Sequence, residues 1–113
     1  MKKKSTERKR KLQEWSKRNR EKQGNRCQIC GSQEHLNCHH LIPKEKFPQF
    51  QYEDWNACVL CVKHHKFGKY SAHGNPIWFA DWLRLKRPEE YEFILQVLEY
   101  EMYNNVILSC DSH

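Results

Sequence analysis

The crowding of cysteine and histidine constrains this chain more than any other feature of its sequence. Eleven of its thirteen Cys and His residues lie between Cys27 and His73. Two Cys-x-x-Cys pairs, Cys27 with Cys30 and Cys58 with Cys61, have the spacing of metal ligands. Disulfides would be the alternative in a secreted protein, but the N-terminus has no recognisable secretory signal. The sequence therefore predicts a small protein that is stabilised by metal.

Such stabilisation matters because the chain is short and polar. It has 113 residues, of which 38% are hydrophobic and 30% are charged. A chain of this length forms one domain and buries about two-thirds of its unfolded surface. The longest apolar run, residues 57–62, is too short to cross a membrane. We therefore expect a cytoplasmic protein with no membrane partner.

The basic residues are concentrated at the N-terminus. Residues 1–26 contain twelve of the twenty Lys and Arg and three of the fourteen Asp and Glu, a net charge of +9 against −3 for the rest. This asymmetry predicts a basic arm over residues 1–25 that contacts a polyanion, with a solvated tail as the alternative. The candidate phosphate-contacting side chains are Lys9, Arg10, Lys11, Lys17, Arg18, Lys63, Lys66 and Lys69.

Capping and turn residues predict an α+β fold that is mostly helical. A basic helix begins at Ser5 or Thr6, ends near Gln23, and can dock through Leu12 and Trp15. The other predicted elements are a strand over 36–42, a strand or turn after 56 followed by a helix to about 67, and helices over 76–86 and from 88 to about 102. The apolar residues of the last two helices are expected to be core. Residues 105–113 are expected to form a loose tail in which Cys110 is a free thiol.

The number of metal-ligating side chains is larger than one site needs. Four Cys or His ligands complete a closed tetrahedral zinc site, which is structural. The imidazoles that remain can form a second, open site, and an open metal position with a spare base is a catalytic arrangement.

An ordered set of motifs connects these residues. The set consists of Cys27-x-x-Cys30, then His39-His40-Leu41-Ile42-Pro43, then Asn56, then Leu60-Cys61-x-x-His64-His65. It resembles the pattern of the HNH nucleases, whose ββα-metal fold is also called the His-Me finger. His64 stands where many members have a second Cys, and the segment 69–83 resembles phage-encoded members. The similarity covers residues 26–95 and implies a ββα-metal core. We therefore expect a nuclease domain over 26–104 that contains this core and two C-terminal helices, with the basic N-terminal helix before it.

The resemblance implies a metal-dependent endonuclease that hydrolyses phosphodiester bonds in double-stranded DNA, by nicking or by cutting both strands. By motif, His40 is the general base and Asn56 orients this base or its loop through hydrogen bonds. The implied ligands of the catalytic ion are His39, His65 and, across a short insertion, His73. This ion is expected to be Mg²⁺ or another divalent ion such as Mn²⁺, Ni²⁺ or Zn²⁺. Adjacent residues of a strand face opposite ways, so His39 can bind metal while His40 meets substrate.

The structural zinc has two alternative ligand sets. Cys27 and Cys30 belong to both. The spacing of the family pattern favours Cys61 and His64 as the remaining ligands, whereas plain Cys-x-x-Cys pairing would use Cys58 and Cys61.

The function also has an alternative from another class. A non-catalytic zinc-binding module that binds nucleic acid would explain the basic arm and the cysteines, with the remaining histidines in structural roles. A phage-encoded nuclease would act in the cytoplasm of a bacterial host, where the resemblance implies phage packaging or recombination proteins as partners and packaging, recombination or homing as the role.

Overall fold

The computed structural model describes residues 2–107. Most of the predicted tail, including Cys110, lies outside the described residues. The described part has an α+β fold in which helices exceed half of the residues, as the sequence predicts. The chain divides into two compact units, Met1–Phe79 and Ala80–His113. The predicted N-terminal arm belongs to the first unit.

Helix α1 (Lys2–Lys22) is polar, yet one face of it packs on the first unit. Trp15 is 2% exposed, and its indole N–H donates to the carbonyl of Glu53 at 2.8 Å. Asn19, one turn later, is also buried, whereas Leu12 is half-buried. The helix ends before Gly24, whose φ of 79° is in the region that favours glycine.

An ion-pair cluster fixes the C-terminal half of α1 to a loop of the same unit. Asp54 accepts hydrogen bonds from Arg18 at 2.9 Å and from Lys22 at 2.6 Å, and Asn19 adds a third at 3.2 Å. These donors, led by Arg18, hold the pKa of Asp54 well below its usual range. The sequence predicts Arg18 as a phosphate contact, whereas the structure places its guanidinium on a carboxylate of the protein itself.

The sheet consists of two antiparallel strands, β1 (Leu36–His40) and β2 (Ala57–Cys61). In its register His39 lies opposite Cys58, and His40 lies opposite Ala57. Because side chains alternate along a strand, His39 and His40 face opposite sides of the sheet. All five residues of β2 are buried. The predicted strand over 36–42 ends early because the N–H of Ile42 donates to a side chain, not to the other strand.

Helices α2 (Pro76–Lys86) and α3 (Pro88–Met102) have the predicted bounds. Single π-helical turns cover Lys63–Phe67 and Tyr103–Ile107. The prediction that the apolar residues of α2 and α3 are core is only partly right, because Ile77 is 84% and Leu85 60% exposed. The apolar residues of α2 surround more of the helix than one buried face can cover. None of the described helices is both long and apolar enough to span a membrane.

Candidate metal centres

The first candidate centre begins at a tight turn after α1. The N–H of Gly31 donates to the carbonyl of Cys27 at 2.8 Å, and the N–H of Cys27 donates to the carbonyl of Ser32 at 2.8 Å. Gly31 has a φ of 80°, which a residue with a Cβ rarely adopts. The turn therefore folds the backbone of Cys27 and Cys30 around a common point, which explains the Cys-x-x-Cys-Gly sequence.

Four ligand atoms meet at this point, from Cys27, Cys30, Cys61 and His64, all mutually within 4.8 Å. The Sγ atoms of Cys30 and Cys61 are 3.8 Å apart, and His64 Nδ1 lies 3.3 Å from Cys61 Sγ and 3.9 Å from Cys27 Sγ. Zinc–sulfur bonds of about 2.3 Å and a zinc–nitrogen bond of about 2.0 Å place tetrahedral ligands about 3.5 to 3.8 Å apart. The cluster therefore fits a metal ion such as zinc.

The surroundings of Cys27 favour the thiolate form that binds metal. Burial alone would raise the pKa of this thiol. Backbone N–H groups of Cys61, Cys30 and Ile29 point at the sulfur and outweigh burial, so the pKa of Cys27 is lowered.

The described four-ligand cluster contains His64 and not Cys58, the alternative that Cys-x-x-Cys pairing suggested. Cys58 is fully buried and lies opposite His39 in the sheet. It lies three residues before Cys61 on the same strand, so the two side chains face opposite sides of the sheet. The helical turn after β2 instead carries His64 back to the side of Cys61.

Zinc content distinguishes these two ligand sets. We expect Cys58→Ser to retain zinc in equal molar amount with the wild type, because Cys58 lies outside the cluster. Cys61→Ser is expected to lose most of the metal, since both candidate sets contain Cys61. Elemental analysis of the purified proteins measures this directly, and a Cys58→Ser variant without zinc would contradict the assignment.

The second candidate centre consists of three imidazoles from three segments of the first unit. His39 comes from β1, His65 from the π-helical turn and His73 from the loop before α2, and their ligand atoms lie mutually within 4.8 Å. The Nε2 atoms of His65 and His73 are 3.1 Å apart. Two nitrogens bound to one ion at about 2.0 to 2.1 Å lie about 3 to 3.4 Å apart. The structure thus brings together the three histidines that the sequence predicts as ligands.

Burial keeps the imidazoles of His39 and His65 neutral, which is the metal-binding state of an imidazole. Burial, and then the neighbouring rings of His65 and His73, lowers the pKa of His39 to about 3. Burial, and then His73, lowers the pKa of His65 to about 4. His73 is exposed, so the cluster opens to solvent on one side.

Sequence reasoning missed the side chain that orients His65. The Nδ1–H of His65 donates to Oδ1 of Asn37 at 3.1 Å, which leaves the lone pair on Nε2, toward His73. Asn37 lies two residues before His39 on β1, so strand alternation places both on the same face of the sheet. The position of Asn37 two residues before His39, in a predicted strand, is therefore the feature of the sequence that could have identified it.

His40 lies on the other face of the sheet, against α1. Its half-buried ring stacks on Trp15, with ring centroids 3.9 Å apart and planes 9° from parallel. Its Nε2–H donates to the backbone carbonyl of Gln51 at 2.9 Å. Burial lowers the pKa of His40, although the Gln51 carbonyl opposes this effect. A neutral ring held in this way keeps its lone pair on Nδ1.

Asn56 organises the loop that connects β1 to β2. Its Oδ1 accepts from the N–H of Ile42 at 2.6 Å, and its Nδ2 donates to the carbonyls of Ile42 at 3.2 Å and Phe50 at 3.1 Å. Of the two roles that the sequence suggests, the structure places Asn56 on the loop backbone. The loop in turn presents the Gln51 carbonyl to His40, so Asn56 acts on His40 through the loop.

Replacing this amide is expected to destabilise the protein strongly. Asn56 is fully buried, so Asn56→Ala leaves backbone groups of Ile42 and Phe50 without partners, at a cost of about 2 to 4 kcal/mol in the free energy of unfolding. Asn105→Ala, at an exposed site, is the control, with an expected change within about 0.5 kcal/mol. Urea denaturation measures both, and equal effects of the two substitutions would contradict this role of Asn56.

The predicted phosphate contacts lie at two places in the first unit. Lys9 and Lys17 are exposed on α1, where Arg10 and Lys11 form ion pairs within the helix. The remaining three lysines are exposed on the π-helical turn or just after it: Lys63, Lys66 and Lys69. Their exposure is compatible with both contact and solvation.

Comparison with known proteins assigns no family to this chain. No protein-family model, curated protein or solved structure matches the chain.

Proposed function

We propose that this protein is a metal-dependent endonuclease of the HNH type, which hydrolyses phosphodiester bonds of DNA with His40 as general base. The proposal includes a ββα-metal core made of β1, β2 and the turn Lys63–Phe67, with a structural zinc bound by the Cys27 cluster. It rests on the motif resemblance and on the chemistry of the two candidate centres.

One observation carries the proposal. His39 and His40 are neighbours on β1, yet His39 belongs to the three-histidine cluster while His40 has a different environment, on Trp15 and Gln51. A site that only stabilises the fold has no need for a second cluster of imidazoles that opens to solvent. Phosphodiester hydrolysis, in contrast, needs a metal ion and a general base, and the neighbouring positions of His39 and His40 on β1 supply a candidate for each.

The residues have distinct roles in the proposed reaction. His39, His65 and His73 would hold a divalent ion, which polarises a phosphoryl oxygen and stabilises the leaving 3′ oxygen when bound. His40 takes a proton from the attacking water at Nδ1, while the Gln51 carbonyl fixes the ring through Nε2. The bond between phosphorus and the 3′ oxygen breaks, the leaving oxygen takes a proton from solvent water, and the products are a 5′-phosphate and a 3′-hydroxyl.

Cleavage of supercoiled plasmid DNA tests this function. We expect zinc-loaded protein to be inactive without further metal and to nick or linearise the plasmid after addition of Mg²⁺ or Mn²⁺. His73→Ala is expected to lower the metal-activated rate by more than about tenfold, because it removes a ligand at the exposed edge of the cluster. His35→Asn, an exposed histidine outside both centres, is the matched control and should cleave like the wild type.

The alternative function has a specific observation in its favour as well. The first centre fits zinc by its own geometry and would suffice for a non-catalytic module that binds nucleic acid. Protein that binds zinc and DNA but cleaves with none of the added ions would support that module and contradict the nuclease.

A further inference from the structure

Two aromatic rings are exposed on the segment between His65 and His73, two candidate ligands of the second centre. Phe67 is 79% and Tyr70 53% exposed, and both follow His65 within five residues. Single exposed apolar residues are common on protein surfaces. Two exposed rings on one short segment, next to a candidate catalytic centre, are groups that a ligand can contact, and the Tyr70 ring is itself held against Trp78, with ring centroids 5.5 Å apart.

The backbone that carries these rings is held firmly. Ser71 is fully buried, and its hydroxyl donates to the carbonyl of Gly68 at 2.6 Å and accepts from the N–H of Gly74 at 2.9 Å. A Cβ at Gly68 would lie 2.7 Å from the carbonyl oxygen of Lys63, so the chain approaches itself closely here. Binding of a ligand to the rings therefore costs little further backbone entropy in this loop.

The same loop is tied directly to the metal centres. The N–H of Ala72 donates to the carbonyl of His64 at 2.8 Å, and the N–H of His73 donates to that of His65 at 2.9 Å. A group that stacks on Tyr70 thus lies on the loop that supplies His73 to the three-histidine cluster.

The Lys, Arg, Asp and Glu residues of the segment that carries the rings are all basic. Lys63, Lys66 and Lys69 are exposed, and Lys69 Nζ lies 5.9 Å from the centroid of the Tyr70 ring. No Asp or Glu occurs between Asp54 and Asp81 in the sequence. Lysines interleaved with exposed aromatic rings are complementary to a phosphate backbone with accessible base faces.

We propose that Phe67 and Tyr70 form a stacking platform for unpaired nucleobases, so that this protein prefers DNA with a single-stranded segment over a fully paired duplex. Bases inside a duplex are stacked on each other and cannot use such a platform. This inference rests on the proposed nuclease function, because it names the class of DNA that the nuclease would bind and cleave.

Binding of fluorescent oligonucleotides tests the platform under conditions in which the DNA is not cleaved. The probe is a single-stranded oligonucleotide that contains 2-aminopurine, compared with the same strand in a perfect duplex, both without added divalent ion. We expect tighter binding of the single strand and quenching of the 2-aminopurine by stacking. Phe67→Ala and Tyr70→Ala should each weaken single-strand binding by roughly five- to 150-fold, the range for loss of one stacked base.

Tyr100→Ala is the matched control, because Tyr100 is 68% exposed on α3, away from this loop in the sequence, and its removal should leave binding unchanged. Zinc content and thermal melting of each variant establish that it folds. Equal affinity for single strand and duplex would overturn the platform. Equal effects of the loop variants and the Tyr100→Ala control would overturn it too, and would indicate that the rings bind another partner, such as a protein. Plasmid cleavage is measured in a separate assay. A nuclease that does not prefer single strands can therefore be distinguished from a protein that binds single strands but does not cleave DNA.

Discussion

Removal of zinc with a strong chelator is expected to abolish the cooperative thermal unfolding of this protein. The candidate zinc ligands connect the turn after α1 with the end of β2, and the described core beyond them is small. A structural zinc contributes about 10 to 16 kcal/mol in small zinc-binding peptides, which equals or exceeds the total stability of about 5 to 15 kcal/mol of an ordinary domain. Circular dichroism should show a melting transition that disappears with chelator and returns when zinc is added.

A single substitution makes this test sharper. Cys30 is exposed, so without a metal its replacement by serine should change the free energy of unfolding by no more than about 0.5 kcal/mol. If Cys30 binds zinc, Cys30→Ser should cost more than about 2 kcal/mol, because the site loses a thiolate. A Cys30→Ser variant as stable as the wild type, or melting that the chelator does not change, would contradict the structural zinc.

The second large effect concerns catalysis. We expect His40→Ala to lower the rate of plasmid cleavage by about 100- to 10,000-fold, which is the contribution of a positioned general base. The candidate ligands of both centres remain in this variant, so its zinc content should equal that of the wild type. The measurement is the single-turnover rate with saturating Mg²⁺ or Mn²⁺.

The fold of this variant needs its own control, because the His40 ring stacks on buried Trp15. Thermal melting shows whether the protein remains folded, and His35→Asn shows the effect of removing an imidazole elsewhere. Cleavage by folded His40→Ala at the wild-type rate would exclude His40 as the base.

The sequence predicts much of the local structure because its signals are local. Proline marks the starts of α2 and α3, and Gly24 marks the end of α1. The spacing of the family pattern favours His64 over Cys58 as a candidate ligand, and the structure gives the physical reason, because Cys58 and Cys61 face opposite sides of the sheet.

Other features depend on contacts between distant segments, which no short pattern encodes. The ring of His40 is held by Trp15 and by the carbonyl of Gln51, and a backbone carbonyl has no signature in the residue type. Exposed Ile77 illustrates the opposite error, because helical spacing of apolar residues does not show whether a partner covers them.

The central claim is that two neighbouring imidazoles have different roles, one as a metal ligand and the other as a base. Anomalous diffraction from crystals soaked in Mn²⁺ tests it most directly. We predict a manganese peak within bonding distance of His39, His65 and His73, a separate zinc peak at Cys27, and no metal on the ring of His40. An ion bound by His39 and His40 together, or no manganese at the three histidines, would contradict the account.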